Sequence, residues 1–296
     1  MSDSIKKRVV IALGYFDSVH RGHKKVIERA VLEAQKKQAN TVVFTFKDNL
    51  KAVLFGEKEK VVYTALERGV FIKALGVDEI YFAPASLEFL SMDKSKFLDA
   101  LNEKFDIISY VSGEDYRFGK GGDGDVDFIE RYAKEHGQTV TVVQTLNFEQ
   151  GKISTTIIKE FLTKGEVQKA NALLGRAYSI TGEVFRDREV GSKLGFPTVN
   201  IKIDRDKHSL KNGVYFGKIA VDGKVYKAII NYGARPTFNL DEKLIEAHII
   251  DFDGELYGRT LTVCFEMFLR DIKKFNNQEE LKNQLKKDLI AVKNYD

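Results

Sequence analysis

The hydrophobic period of this chain changes partway along it, and that change restricts the folds open to it. Before about Gly151, short apolar runs alternate with helical patterns. Segments 9–13, 41–46, 79–83, 107–111 and 139–144 read as strands, and 24–37, 65–75, 94–105 and 126–136 read as helices. Alternating β and α units of this length predict a parallel sheet covered on both faces. In such sheets ligands bind beyond the carboxyl ends of the strands. Segments 155–162 and 166–174 read as two short helices meeting at Gly165. After Gly175 the strand patterns crowd together at 178–185, 198–203, 214–221, 224–230, 244–252 and 260–268, separated in places by turn signals such as VDGK and FDGE. This half predicts an antiparallel barrel or sandwich. A helix over 278–293, with Leu281, Leu285 and Leu289 on one stripe, ends the chain. The expected fold class is therefore α/β plus all-β. One domain covers 1–175, ending in a short helical linker at about 155–175, and a second covers 176–296. A length of 296 residues suits two cores at ~150 residues each.

Composition removes several function classes. Hydrophobic residues make up 43% and charged residues 30%, ordinary for a soluble globular protein. No apolar run reaches the ~18 residues of a membrane span, so no membrane partner is expected. The opening MSDSIKKRVVIALGYF has no small-residue cleavage site and reads as the approach to a first strand, not a signal peptide. The single cysteine, Cys264, excludes an intrachain disulfide and fits a cytoplasmic protein. Within LTVCFEMFL it reads as a small strand residue and not as a reactive thiol. The net charge is +4 with scattered lysines, whereas a nucleic-acid footprint gathers charge on one face. Small anionic ligands suit this balance; nucleic acid is not expected.

The stretch GYFDSVHRGH carries the most chemistry in the first half. The strand pattern ends at Leu13, and Gly14 lets the backbone turn sharply or approach a ligand. The helix is expected to begin just after HRGH, so its free N–H groups face that loop, and a helix N-terminus is an anion site. His20 and His23 there can donate to phosphate oxygens and stabilise charge developing on them. Gly22 leaves room where a phosphate would lie. The competing reading makes both histidines capping or surface residues. The order strand, glycine, HxGH, helix favours the anion site. Gly119, Gly121 and Gly124 satisfy GxGxxG, but they lie several residues past the strand pattern, and Gln144, not an acid, stands 20 residues on. A flexible loop over a flavin or nucleotide is expected there, not a dinucleotide fingerprint. No GxxxxGK[ST] occurs, so ATP use of the P-loop kind is excluded.

The HRGH arrangement resembles the adenylyltransferase superfamily, in which this motif binds ATP and supports nucleotidyl transfer. Three further segments resemble that pattern: FTFKDN at 44–49, GEDYRFGKGGDGD at 113–125, and ISTTIIK at 153–159, which is similar to ISSTxxR. In this order they resemble the N-terminal half of the bacterial bifunctional riboflavin kinase/FAD synthetase family, which adenylylates FMN on a Rossmann-like nucleotidyltransferase domain. The resemblance implies nucleotide binding by Gly14, Phe16, Asp17, His20, Gly22, His23, Ser154, Thr155, Thr156 and Lys159. It implies flavin binding by Asn49, Asp115 and Phe118. Ser18 stands where the family usually has glycine, Thr155 replaces a serine, and TFKDNL stands for Thr-Phe-Asp-Pro-His-Pro. Ile157 and Lys159 replace arginines, and a lysine does not reproduce bidentate phosphate contact.

In the second half, KLGFPTVN spans 193–200. Glycines before a strand let backbone N–H groups wrap phosphates. A threonine hydroxyl and an asparagine oxygen are hard ligands suited to Mg²⁺. A simple turn before a strand would explain the same composition. The string resembles the riboflavin kinase family's Gly-Phe-Pro-Thr-Ala-Asn motif, and NGVYFG, NYGARPTF, EAHIIDFDGELYG and FLRDIKKF follow in family order. The resemblance implies that Gly191, Lys193, Gly195 and Thr198 meet the nucleotide and that Thr198 and Asn200 hold Mg²⁺. It implies that Glu246 takes the proton from the ribityl 5′-hydroxyl; the alternative is a solvated strand carboxylate. Arg270 would meet the flavin or nucleotide, with a barrel-edge ion pair as the competing reading. Asp187 and Ser192 depart from the family's glycine-rich flap.

The resemblance, covering about 8–293, implies a two-module enzyme. The C-terminal module phosphorylates riboflavin to FMN, and the N-terminal module adenylylates FMN to FAD. Its substrates would be riboflavin, FMN and ATP, with Mg²⁺ required in both modules. Two rivals stand beside it: a riboflavin kinase whose adenylyltransferase module is impaired, and a non-catalytic flavin- or RNA-binding regulator on the same scaffold.

Overall fold

The structure, a computed structural model, describes residues 7–47, 50, 53, 56, 60–149, 151–186, 196–234 and 243–293. The chain divides into two compact units, Met1–Thr155 and Thr156–Asp296.

In the first unit the strands are β1 (Arg8–Leu13), β2 (Asn40–Phe46), β3 (Glu79–Ala83), β4 (Asp106–Gly113) and β5 (Thr139–Val143). The helices between them are α1 (Arg21–Lys37), α2 (Ala65–Lys73), α3 (Leu87–Leu90), α4 (Lys94–Lys104) and α5 (Val126–Glu135). The strands form one parallel sheet in the order β3-β2-β1-β4-β5. The chain runs outward from β1 to β3 and returns to β4 on the other side of β1. The strand order thus reverses between β1 and β4, where α/β sheets place ligands.

Burial on both faces explains the continuous apolar run of β1. Val9, Ile11 and Leu13 enter one core with Phe44, Phe97 and Ile129. Val10 and Ala12 enter the other with Ile27, Ala30 and Val43. A parallel sheet between two helical layers has no solvated face, so both sets are apolar. One buried carboxylate breaks this pattern. Glu33 of α1 accepts Ser109 Oγ at 2.5 Å, Thr141 Oγ1 at 2.8 Å and Lys37 Nζ at 2.8 Å. These bonds fix α1 on β4 and β5 and hold the Glu33 pKa below its ordinary value despite burial.

A two-stranded hairpin, β6 (Asn147–Phe148) and β7 (Gly151–Lys152), follows β5. Helices α6 (Thr155–Lys164) and α7 (Val167–Leu174) come next. They pack with the second unit. The Asn171 side chain donates to Phe265 O at 2.9 Å and accepts Tyr178 N–H at 2.7 Å.

That unit is a closed antiparallel barrel of β8 (Tyr178–Phe185), β9 (Val199–Lys202), β10 (Gly213–Val221), β11 (Lys224–Ala234), β12 (Lys243–Ile249) and β13 (Thr260–Arg270). Closure rather than a sandwich leaves no free edge. The VDGK signal is the β10–β11 hairpin, with φ of +50° at Asp222 and +78° at Gly223. Helix α8 (Gln278–Lys293) ends the fold. Its leucine stripe is only half-buried; Asp288 and Val292 are its buried residues.

One local expectation changes. Helix α1 starts at Arg21, inside HRGH and not after it, because His20 caps it. The glycine-rich stretch after Phe118 is a turn held by backbone hydrogen bonds. Phe118 and Gly124 exchange backbone hydrogen bonds, and Lys120 N–H donates to Met92 O at 2.8 Å.

Candidate active sites

The first site gathers at the carboxyl ends of β1 and β4. Beyond Leu13 the chain turns tightly, with left-handed backbone at Phe16 (φ 47°) and Val19 (φ 44°). The Phe16 ring folds back under Gly14, where a Cβ would lie 2.4 Å from it. Phe16 is buried and meets the His23 ring edge-on at 5.4 Å.

His20 is the N-cap of α1, and its Nδ1 accepts the His23 N–H at 3.1 Å. That bond leaves the ring proton of the neutral imidazole on Nε2, which can donate. The two histidine rings stack at 3.6 Å. Burial, reinforced by His23, lowers the His20 pKa to about 3. His20 is thus a neutral hydrogen-bond donor at pH 7, not a cation. Gly22 sits tight against it; a Cβ there would lie 3.0 Å from His20 Cε1.

The loop is tied down by residues remote in sequence. Thr155 Oγ1 donates to Asp17 Oδ1 at 2.6 Å and lies 2.9 Å from the buried Ser18 Oγ. Because the Thr155 proton goes to Asp17, Ser18 is the donor of the second bond. Ser18 and Thr155, 137 positions apart in the sequence, therefore touch each other. Arg68 of α2 is buried and reaches both flanking strand ends. Its guanidinium donates to Tyr15 O at 3.0 Å, Phe46 O at 2.8 Å and Lys47 O at 3.0 Å. No local pattern distinguishes Arg68 from a surface arginine of an amphipathic helix; only the fold shows its role.

A cavity of about 360 Å³ opens here, lined by Gly14, Phe16, His20, Gly22, His23, Asp115, Ser154 and Thr155 from the expected set. Tyr116, Arg117 and Lys152 line it as well, none of them singled out by sequence. Phe118 lies in the core behind, 5.1 Å from Phe97 and stacked on Tyr116 at 5.7 Å. Asp17 meets the site through Thr155. Thr156 and Lys159 stand on α6 in the second unit. Asn49 lies outside the described residues.

The second site stands on the barrel wall. Antiparallel pairing of β9 with β12 sets Asn200 opposite Glu246. Thr198, just before β9, donates from Oγ1 to Glu246 Oε1 at 3.0 Å. Asn200 is buried and the other two are half-buried. His248 steadies the approach: its Nδ1 lies 2.8 Å from Pro197 O, and its ring meets Phe196 at 5.4 Å. A cavity of about 120 Å³ is lined by Pro197 and Thr198 on one side and by Phe252–Tyr257 on the other. Among the described residues no group of three or more His, Cys, Asp or Glu side chains converges. A Thr–Asn–Glu oxygen set beside a phosphate is instead the donor chemistry that suits Mg²⁺, which keeps water and substrate oxygens in its shell.

Gly191, Lys193, Gly195, Asp187 and Ser192 lie outside the described residues. Arg270 forms a bidentate pair with Asp288 of α8: Nε to Oδ1 at 3.0 Å, and Nη2 to Oδ2 at 2.7 Å. The competing reading, a barrel-edge ion pair, describes this arrangement.

Comparison with known proteins matches each half separately. The FAD synthetase family model matches residues 2–157, and the riboflavin kinase model matches 174–295. A Listeria monocytogenes bifunctional riboflavin kinase/FMN adenylyltransferase is 36% identical over 282 residues, 94% of this chain and 90% of that protein. The Bacillus subtilis protein of the same name is 34% identical over 288 residues, again covering 94% and 90%. A Streptococcus pneumoniae crystal structure described as a macrolide-efflux protein superposes with a TM-score of 0.90. It is 29% identical and covers 98% of this chain and 95% of that one. Its description concerns the streptococcal protein; among the described residues here, no helix is long and apolar enough to cross a membrane. With both family models following one another along the chain, and relatives alike over nearly its whole length, this chain belongs to the bifunctional riboflavin kinase/FMN adenylyltransferase family.

Proposed function

We propose that each activity of the family resides in one compact unit, with the residues described above in the following roles. The second unit transfers the γ-phosphate of ATP to the riboflavin 5′-hydroxyl. Glu246 takes the hydroxyl proton as the new O–P bond forms and the bond to the β,γ-bridging oxygen breaks, releasing ADP. The Thr198 hydroxyl donates to one Glu246 oxygen and so orients the carboxylate. Thr198 and Asn200 would hold Mg²⁺, which would supply neutralisation of phosphate charge. Arg270 is assigned to positioning α8 on the barrel through Asp288.

The first unit transfers AMP from a second ATP to FMN. An FMN phosphate oxygen attacks the α-phosphorus, the bond to the α,β-bridging oxygen breaks, and pyrophosphate leaves with FAD as product. His20 Nε2–H and His23 donate to phosphate oxygens where negative charge builds, beside the free N–H groups of α1. Ser154 and Thr155 offer hydroxyls at the same cavity. The flavin is expected against Asp115 and Tyr116. Mg²⁺ accompanies ATP in both units. ATP as co-substrate and a lone Cys264 with no disulfide partner suit the cytoplasm.

The observation that carries this reading is that Thr198, Asn200 and Glu246 meet in one unit while His20, His23 and Thr155 meet in the other. Incubation with riboflavin, ATP and Mg²⁺, followed by chromatography of the flavins, tests it. FAD as end product is expected. FMN alone would mean that the first unit lacks adenylyl transfer, and unchanged riboflavin would remove the kinase assignment. FAD from supplied FMN would then isolate the other half.

A further inference from the structure

The adenylyl-transfer cavity must accept two anions, the triphosphate of ATP and the monophosphate of FMN, yet it carries little positive charge. His20 is neutral. Among the described lining residues, Arg117 and Lys152 are the formal cations and Asp115 is the carboxylate. Arg117 pairs with a carboxylate outside the cavity lining: its Nη1 lies 3.0 Å from Oδ2 of Asp125, the N-cap of α5, whereas the partner of Lys152 is itself a lining residue. Lys152 is paired with Asp115 inside the cavity wall, and both side chains stay open to solvent, at 45% and 59%.

That exposure separates a latch from a strut. An exposed ion pair contributes little stability and is readily exchanged. A phosphate carries more charge and more acceptor oxygens than one carboxylate, so it competes well for the ammonium. The backbone beneath Lys152 is fixed all the same. Ile153 is buried and donates its N–H to Leu146 O at 3.0 Å, and β7 pairs with β6. Only the flexible four-carbon stem has to swing.

We propose that Lys152 is a phosphate-binding residue of the adenylyltransferase site, held by Asp115 while the cavity is empty and passed to a substrate phosphate when one enters. This rests on the adenylyltransferase reading of the cavity.

The test uses the full chain with Lys152→Gln, Lys152→Arg and Asp115→Asn. Inorganic pyrophosphate is titrated calorimetrically into each, and KM is measured for ATP and for FMN. Lys152→Gln should weaken pyrophosphate binding about tenfold, which is ~1.4 kcal/mol. It should raise KM for ATP if the triphosphate is the ligand, or for FMN if the flavin phosphate is. Lys152→Arg should keep affinity within about threefold, since the charge remains. Asp115→Asn should tighten pyrophosphate binding, because it frees the ammonium. A strut predicts the same sign for both partners and a lowered Tm; the latch predicts opposite signs and an unchanged Tm. Equal pyrophosphate affinity in wild type and Lys152→Gln overturns the proposal, as does the absence of pyrophosphate binding by the wild type. If the wild type makes no FAD from FMN, the reading of the cavity fails separately, and the pyrophosphate titration still decides Lys152.

Discussion

In the first unit the candidate catalytic side chains hang from the loop between β1 and α1 and the first turn of α1; in the second they stand on or beside the neighbouring strands β9 and β12. The loop site needs outside help to hold its shape. Arg68 grips the carbonyls at the ends of β1 and β2, and Thr155 binds Asp17 and Ser18. The strand site needs far less. Ladder pairing sets Asn200 against Glu246, and one hydroxyl bond from Thr198 completes it. A site on a parallel sheet collects its groups from loops at one edge, so distant side chains must immobilise them. A site on an antiparallel wall inherits its geometry from register, which the hydrophobic alternation already enforces. The first unit should therefore be sensitive to mutations far from the chemistry, and the second to mutations at it.

The largest effect is expected from Glu246→Gln. FMN formation should fall by about 10²- to 10⁴-fold, the usual worth of a general base, while FAD formation from supplied FMN stays intact. Near wild-type FMN production would remove Glu246 from the role of base.

His20→Asn comes next, because asparagine caps a helix as well as any residue but lacks the Nε2–H. Chromatography should show FAD formation reduced about 10²- to 10³-fold, with riboflavin phosphorylation unchanged. Unaltered FAD formation would reduce His20 to a cap.

Thr155→Val probes the tie between loop and helix. Losing the Thr155 hydroxyl bonds to Asp17 and Ser18 should cost about 1–3 kcal/mol in denaturant unfolding of the first unit. A double-mutant cycle with Ser18→Gly should give a coupling of about 0.5–3 kcal/mol. Additive effects would break the proposed contrast between loop and wall.

The pH dependence of the first unit should follow His20. The folded His20 pKa of about 3 lies below the unfolded value near 6.5. The unfolded chain binds a proton that the folded chain refuses, so stability should fall as pH drops from about 6.5 toward 3 and stay level above. His20→Asn should flatten that slope in melts between pH 4 and 8, at about the values just named. An unchanged slope would place the titration on another group.

Much of this was legible in the chain. Two-sided burial leaves β1 apolar from Val9 to Leu13, and HRGH before an amphipathic segment marks a helix start, because both signals are local. The GFPTVN string marked Thr198 and Asn200 for the same reason. Local reading did not show what holds the glycines after Phe118, since their turn is bonded to Met92, a contact between segments far apart in sequence. It also passed over Tyr116 in favour of Phe118, because alternation along a short run does not say which ring faces a cavity and which a core.

The sequence by itself determined the two architectures and the residue types at each site, because hydrophobic period and short motifs act over a few residues. Tertiary structure alone decided that Arg68 holds the ends of β1 and β2, that Thr155 grips Ser18 across 137 positions, that Arg270 spends its guanidinium on Asp288, and that Lys152 faces Asp115 in the cavity. These are contacts of single side chains over long chain separations. They are fixed by the packing of whole elements, which no local pattern encodes.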